Sequence, residues 1–191
     1  MIKGEKVGLR AVEPSDLPLL QEWRNIERFR RNFREVRELN SVNQEQWFHK
    51  LNQSTNDFMF TITRHSDDQP IGACGLLYVN WFIRSADLSF YIGYEQQYID
   101  SYGFAEEAVH LLLRYGFDNL NLHKIWMELY AFDSTKLDFF VKRFGFEVDG
   151  ILRDNCFEDG RYWNSYMLSL LCDDYRKLEH ARKHPQGESH A

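Results

Sequence analysis

The most informative segment of the chain is Phe90 to Phe117, which reads FYIGYEQQYIDSYGFAEEAVHLLLRYGF. Its apolar start predicts a β-strand. In its second half, small and apolar residues recur at helical spacing: Ala105, Ala108, Val109, Leu112 and Gly116. This spacing predicts a helix with one buried face, entered through a loop that contains Gly103. Small or flexible residues at a helix N-terminus leave backbone N–H groups free to bind phosphate. The stretch therefore predicts a site for a pyrophosphate-bearing molecule.

Length and composition fit one globular domain. The chain has 191 residues, of which 43% are hydrophobic, and this is enough for one sizeable core. The net charge of −6 argues against non-specific nucleic-acid binding, which needs a basic face. We expect no membrane association, because no apolar run is long enough to span a bilayer and the N-terminus lacks the apolar core of a signal peptide. Three cysteines without metal-type spacing favour a cytoplasmic protein with no metal site.

The hydrophobic pattern predicts elements in the order β-α-α-β-β-β-α-β-α-β-β. Strands are predicted over 6–12, 58–63, 71–79, 86–93, 124–131, 146–152 and 162–171. Helices are predicted to begin near Ser15, at a capping box formed by Ser41 to Gln44, at the loop of Gly103, and shortly before Leu137. We expect residues 1–172 to form a single domain and residues 173–191 to be a polar, flexible tail.

Six short motifs follow one another along these elements. They are Gly8-Leu-Arg-Ala-Val12, Trp23-Arg24-Asn25, Ile71-Gly72, Gly103-Phe-Ala-Glu-Glu-Ala108, Leu122-His123-Lys124 and Arg143-Phe-Gly-Phe146. In this order and spacing the chain resembles the GNAT superfamily of acetyl-CoA-dependent N-acetyltransferases from Val7 to Leu171. It is most similar to the branch of ribosomal-protein N-terminal, spermidine and nucleotide-aminosugar acetyltransferases. The resemblance implies an α+β fold: a mixed, mostly antiparallel central sheet of about seven strands, splayed in the middle, with helices on both faces.

The resemblance also implies that acetyl-CoA donates an acetyl group to a primary amine. Because no nucleophilic residue for a covalent intermediate stands out, we expect direct attack in a ternary complex. The cofactor-binding positions that the resemblance implies are Phe90, Tyr91 and Ile92 on the fourth strand, Asp100, Ser101, Tyr102, Gly103, Phe104 and Ala105 at the loop, and Asp133 and Phe140 near the last full helix. Gly103 and Ala105 match the family's pyrophosphate loop, whereas Asp100 does not. An acidic side chain beside phosphate is unfavourable unless it points away or caps the helix. The alternative is an ordinary strand–helix turn.

Asp87 and Ser134 are the catalytic candidates. Asp87 lies where related enzymes often carry an acidic residue, so we expect it to accept a proton from the amine or to orient it. The alternative is a strand-end ion pair with Arg84. For a second carboxylate, Glu128, we expect a solvated or salt-bridged structural role. The family's tyrosine that protonates the leaving thiolate falls at Phe140 or Val141, and neither side chain can donate a proton. The proton donor must therefore lie elsewhere, unless water assists.

Arg34, Arg37 and Trp81 are the predicted substrate contacts. The first two belong to an arginine cluster that also contains Arg28, Arg30 and Arg31. Guanidinium groups favour an anionic acceptor such as a nucleotide-linked aminosugar. The alternative is an exposed or subunit-facing loop neutralised by Glu35 and Glu38.

A polyamine or a protein N-terminus remains another acceptor, and a non-catalytic acyl-CoA-binding module or an interaction protein remains another function. A homodimer is one option for the assembly.

Overall fold

The computed structural model describes residues 1–184, and these contain eight β-strands and six α-helices. The strands are β1 (Ile2–Lys3), β2 (Val7–Ala11), β3 (Phe58–Arg64), β4 (Pro70–Asn80), β5 (Ser85–Ile92), β6 (Lys124–Tyr130), β7 (Glu147–Glu158) and β8 (Arg161–Leu171). The helices are α1 (Leu17–Asn25), α2 (Glu27–Arg30), α3 (Ser41–Gln53), α4 (Phe104–Arg114), α5 (Ser134–Phe144) and α6 (Cys172–Lys183). The strands form one sheet in the order β1-β2-β3-β4-β5-β6-β8-β7.

All neighbouring strands in this sheet are antiparallel except β5 and β6, which are parallel. These two strands pair only from Ser85 with Lys124 to Asp87 with Trp126. From Leu88 to Ile92, β5 continues without a partner in β6, so the sheet opens there. The predicted mixed sheet, splayed in the middle, is confirmed, with eight strands instead of about seven.

Side-chain alternation along β5 sorts its residues between the two faces of the sheet. Ala86, Leu88, Phe90 and Ile92 point into the larger core, which also contains the buried face of α4 and the Phe140 and Phe144 side chains of α5. Tyr91 packs on the opposite face in a second core with Leu20 and Trp23 of α1. Asp87 and Ser89 share the parity of Tyr91, and therefore lie on the face that α1 and α3 cover.

Three predictions of local structure need correction. The capping box of α3 is formed by Asn40 and Asn43, one residue before the predicted one. Strand β7 is longer than predicted, because its hairpin partner β8 pairs with it as far as Glu158. The expectation of a flexible tail is wrong for the described part of residues 173–191, since Cys172–Lys183 forms α6 and Tyr175 stacks on Phe117 with ring centroids 4.7 Å apart. Residues 185–191 of that tail lie outside the described residues.

Within residues 1–184, none of the helices combines the length and the hydrophobicity that crossing a bilayer requires.

Candidate active site

A cleft of about 530 Å³ lies on the face of the sheet that carries Asp87 and Ser89. Its walls come from α1, α3 and the segment between α2 and α3, and its floor comes from β4 and β5. Eight charged side chains line it: Arg24, Arg34, Arg37, Lys50, Lys136, Glu35, Asp87 and Glu128. Cationic groups therefore outnumber carboxylates in the lining, although the whole chain is acidic.

Asp87 and Glu128 lie on the floor of this cleft and share one arginine. The Arg34 Nη1 group donates to Oδ2 of Asp87, and its Nε lies 3.4 Å from Oε2 of Glu128. The two carboxylates face the same side because Asp87 is in register with Trp126, two residues before Glu128 on the neighbouring parallel strand. The alternative pairing of Asp87 with Arg84 is wrong: Arg84 instead lies 3.4 Å from the side-chain oxygen of Asn121.

Burial raises the pKa of Asp87 above that of an ordinary aspartate, and this effect outweighs the opposing attraction of Arg34. Only 5% of Asp87 is exposed. Glu128 has the salt-bridged role that was expected, since it also accepts hydrogen bonds from Asn155 (2.7 Å) and Ser165 (2.8 Å). Its second oxygen nevertheless reaches the cleft through Arg34. Asp87 is thus a buried carboxylate with a raised pKa, and the fold holds a second carboxylate beside it.

Lys136 is a functional candidate that the sequence analysis did not identify. It is 7% exposed, lines the cleft, and donates from Nζ to the main-chain oxygen of Phe90 at 2.8 Å. Nζ also lies 3.3 Å from the hydroxyl of Tyr98, which donates to Asp133 at 2.9 Å. The signal was present in the sequence, because Lys136 lies four residues before Phe140 and so falls on the buried stripe of α5.

The loop before α4 holds an anion of its own. Gly103 adopts φ 85° at the N-cap of α4, a left-handed conformation that favours glycine. The carboxylate of Asp100 accepts hydrogen bonds from the backbone N–H groups of Phe104 (3.0 Å) and Ala105. Of the two arrangements that the sequence analysis allowed for Asp100, pointing away from the loop or capping the helix, the structure shows the cap. The N–H groups that the resemblance assigns to a pyrophosphate do converge on an anion, and that anion is the protein's own carboxylate.

The edge of β5 beyond the splay is occupied in the same way. Ile92 exchanges two main-chain hydrogen bonds with Tyr98, at 2.9 and 3.0 Å. The main-chain oxygen of Phe90 accepts a hydrogen bond from the Lys136 ammonium. These bonds show that the unpaired edge of β5 offers donors and acceptors to a chain laid along it, as the pantetheine arm of coenzyme A would be. The backbone groups of the loop and of the β5 edge therefore fit coenzyme A, once the Asp100 carboxylate and the segment around Tyr98 move away from them.

The other predicted site residues fall into three groups: those that line the cleft, those in the core or in the loop before α4, and those that lie away from both. Arg34, Arg37 and Tyr91 line the cleft, and Arg37 is paired there with Glu35. Phe140 is fully buried in the core, and Ser101 and Tyr102 are exposed in the loop. Two candidates are not brought to the cleft. Ser134 is exposed in the first turn of α5, and Trp81 lies on the β4–β5 turn, where its Nε1 donates to Asn56.

The arginine cluster is mostly neutralised by acidic partners. Arg30 pairs with Glu38, Arg31 with Glu158 and Asp159, and Arg37 with Glu35. This agrees with the alternative of a neutralised loop, except at Arg34, which pairs with Asp87 in the cleft, and at Arg28, which donates to Gln96. Arg24 of α1 also brings its guanidinium to the cleft. It stacks on Phe33 at 4.0 Å, and its buried Nε has no hydrogen-bond partner among the described residues.

Comparison with known proteins agrees with this fold. The model of the acetyltransferase (GNAT) domain family matches residues 6–142, and this chain belongs to that family. It is 28% identical over 176 residues to an uncharacterized N-acetyltransferase, p20, of Bacillus licheniformis, covering 90% of this chain and 96% of the relative. It is 28% identical over 180 residues to the spermidine N(1)-acetyltransferase of Vibrio cholerae, covering 87% and 94%.

A crystal structure of spermidine N-acetyltransferase from Vibrio cholerae, in complex with CoA and spermine, superposes with a TM-score of 0.81 at 26% identity. The superposition covers 90% of this chain and 98% of that one. The protein is therefore an acyltransferase of the N-acetyltransferase class, with acetyl-CoA as co-substrate. Acetyl-CoA supplies an acetyl group that is already activated as a thioester.

Proposed function

We propose that this protein acetylates a primary amine of a polyamine. The observation that carries the proposal is the carboxylate pair, Asp87 and Glu128, on the floor of the cleft and next to the opening between β5 and β6. Carboxylates attract and orient an ammonium group. The similarity to spermidine acetyltransferases over most of the chain supports a polyamine as the acceptor.

Asp87 is the group that we assign to the acceptor amine. An alkyl amine with a pKa near ~10.4 binds as an ammonium ion and must lose protons before and during amide formation. Because burial raises the pKa of Asp87, its carboxylate is a stronger base than an exposed aspartate. Arg34 holds Oδ2, which leaves Oδ1 as the atom that accepts the proton.

An acceptor that carries both an amine and an anionic group, such as a nucleotide-linked aminosugar, is the second candidate. The cationic lining of the cleft favours it, and so does Arg24, whose buried Nε has no hydrogen-bond partner among residues 1–184. A buried donor without a partner costs free energy that a bound phosphate oxygen would recover. This acceptor would use Arg24 in addition to the carboxylate pair.

The test is thiol release from acetyl-CoA with a panel of acceptors: spermidine, spermine, a nucleotide-linked aminosugar and a ribosomal-protein N-terminal peptide. A thermal-unfolding scan with acetyl-CoA should come first. Ligand at about 100 times its Kd adds ~2.7 kcal/mol, which is a shift of roughly 5 to 10 °C for a chain of this size. We expect the shift and the highest kcat/KM with a polyamine. A shift without thiol release from any acceptor would instead identify an acyl-CoA-binding module.

The variant Asp87→Asn tests the assignment of the base. We expect kcat to fall by about 10² to 10⁴-fold, because the amide cannot accept the proton. Asp138→Asn, on the exposed face of α5, is the matched control and should retain full activity. A Asp87→Asn variant that folds and keeps its kcat would contradict the role given to Asp87.

We further propose a cytoplasmic location, in keeping with the free state of Cys74, Cys156 and Cys172. A homodimer stays a prediction. It is supported by large apolar side chains that are exposed on the β4–β5 and β7–β8 hairpins, among them Phe82 and Phe157. Sedimentation velocity over a range of protein concentrations would measure it, and a single species with the mass of one chain would contradict it.

A further inference from the structure

A buried lysine lines the cleft, one helical turn before the positions at which the sequence analysis found no proton donor. Lys136 is buried beside the opening between β5 and β6, and its Nζ donates to the oxygen of Phe90. Phe90 belongs to the segment of β5 that the resemblance assigns to the pantetheine arm. Nζ therefore lies on the edge of β5 along which the thioester end of coenzyme A would bind.

We infer that Lys136 is the general acid of the reaction, which delivers a proton from Nζ to the sulfur atom that leaves coenzyme A. The inference rests on the proposed function, and deepens it by assigning the second half of the proton transfer. It replaces the family's tyrosine with a residue from the preceding turn of the same helix. Phe140 is fully buried in the core and Val141 is 37% exposed on the surface, so neither position offers a substitute.

The other proton donors of the cleft are poorly suited to this role. Arginine does not release its proton at physiological pH, which excludes the three guanidinium groups of the lining. Burial raises the pKa of Tyr91 well above that of an ordinary tyrosine. Lys50 and Tyr78 also line the cleft, but both are exposed to solvent, where neither is held beside the edge of β5. Lys136 is the buried donor that remains.

The electrostatic surroundings of Lys136 suit a donor to a thiolate. Burial lowers the pKa of Lys136 from 10.5 to about 8; Asp133 and Asp87 oppose the shift, and Arg24 adds to it. Tyr98 is the remaining titratable neighbour, and burial keeps it protonated. A thiol has a pKa of about 8.5, so the transfer of a proton from this lysine to the sulfur is nearly thermoneutral. From an unperturbed lysine the same transfer would be uphill.

The protons balance as follows. The acceptor ammonium first gives one proton to water. As the new N–C bond forms and the C–S bond breaks, Asp87 takes a second proton from the nitrogen, and Nζ of Lys136 gives one to the sulfur. The products are the N-acetylated amine and the free thiol of coenzyme A. Exchange with water then returns Asp87 to the carboxylate and Lys136 to the ammonium.

The experiment compares the wild-type protein with Lys136→Met, which keeps the length of the side chain, and Lys136→Arg, which keeps the charge but releases no proton. We expect kcat to fall by about 10²-fold in both variants, with KM for acetyl-CoA changed by less than about threefold. The ratio of wild-type to Lys136→Met kcat should decline as pH rises past 8, because wild-type Lys136 then loses its proton. Lys142→Met, on the exposed side of α5, is the matched control.

A second readout does not depend on turnover. Between pH 8 and 10.5 the unfolded chain keeps the proton of Lys136 and the folded chain has lost it. Because the unfolded state then binds more protons, the stability of the wild type relative to Lys136→Met rises through this window. We expect the difference in Tm between the two to shift by roughly 7 to 14 °C in favour of the wild type. No shift would overturn the assignment, since Lys136 would then lack the perturbed ionisation that suits it to the step.

Failure of this inference is distinguishable from failure of the proposed function. Absence of thiol release by the wild-type protein with every acceptor would overturn both. Turnover by the wild type together with an unchanged kcat in a folded Lys136→Met variant would overturn only the role of Lys136. A raised KM for acetyl-CoA at unchanged kcat would also overturn it, and would make Lys136 a binding residue.

Discussion

Asp100 shows how one side chain can set the affinity of a phosphate-binding turn. Its carboxylate accepts hydrogen bonds from the N–H groups of Phe104 and Ala105. A pyrophosphate that binds these N–H groups must therefore displace the carboxylate and lie close to its negative charge. Asparagine caps helices as well as aspartate does, so Asp100→Asn removes the charge and preserves the cap. We expect the Kd for acetyl-CoA to fall by about 5 to 10-fold, a change of roughly 1 to 1.4 kcal/mol, as measured by isothermal titration calorimetry.

Asp138→Asn makes the same chemical change on an exposed turn of α5, and should leave the Kd unchanged. Weaker binding by Asp100→Asn would mean that Asp100 helps to organise the loop for coenzyme A instead of competing with it.

At the residue scale, the sequence predicts positions on one element better than partners from distant elements. Asp87 lies on the face of the sheet that lines the cleft, because strand alternation fixes the side on which a residue points. The alternative partner for Asp87 in the sequence, Arg84, is three residues away, whereas the partner in the structure, Arg34, is 53 positions distant and comes from a loop without periodicity. Trp81, a predicted substrate contact, lies outside the cleft, because the β4–β5 turn carries its side chain to Asn56.

At the element scale, Glu107 fastens α4 to the start of β2. Its two carboxylate oxygens accept hydrogen bonds of 2.7 Å from the backbone N–H groups of Glu5, Lys6 and Val7. Glu107→Ala leaves these three donors to water or unpaired, and we expect a loss of about 1 to 3 kcal/mol in the free energy of unfolding. For a chain of this length, Tm should fall by about 2 to 4 °C for each kcal/mol lost.

Glu106→Gln is the control, since Glu106 is the neighbouring residue on α4 and does not contact these N–H groups. Equal unfolding midpoints for Glu107→Ala and the wild type in urea would show that the anchor contributes nothing to stability. A loss of acetyl-CoA affinity in Glu107→Ala, beyond the loss of stability, would show that the anchor also fixes the N-terminus of α4.

Elements whose buried face carries apolar residues at every turn were predicted from the sequence. Elements with only one or two such residues were not. Helix α4 carries six buried residues at helical spacing and was found with nearly correct limits. Helix α6 buries only Tyr175, so composition pointed to a flexible tail. Its charges nevertheless follow the helix dipole, with Asp173 and Asp174 in the first turn and basic residues in the last. Strand β1 has two residues, too few for any periodicity.

At the scale of the whole molecule, charge separates the surface from the cleft. The chain has a net charge of −6, whereas its cleft is lined by more cationic than acidic groups. Under the proposed function, we expect a polyamine to be attracted over long range by the net negative charge and bound at short range by Asp87 and Glu128. Long-range attraction is screened over about 10 Å at 0.1 M salt. We expect KM for spermidine to rise as salt increases from about 0.05 to 0.5 M, with a smaller rise for a monoamine of similar length, since it carries fewer charges.

The same titration also ranks the two acceptor candidates. For a nucleotide-linked aminosugar the molecule repels the phosphates at long range, so added salt relieves repulsion outside the cleft and weakens attraction within it. These effects oppose each other, and the salt dependence of KM should be shallow. A KM for spermidine that is independent of salt, together with a lower KM for the anionic acceptor, would transfer the assignment from the carboxylate pair to Arg24 and the cationic lining.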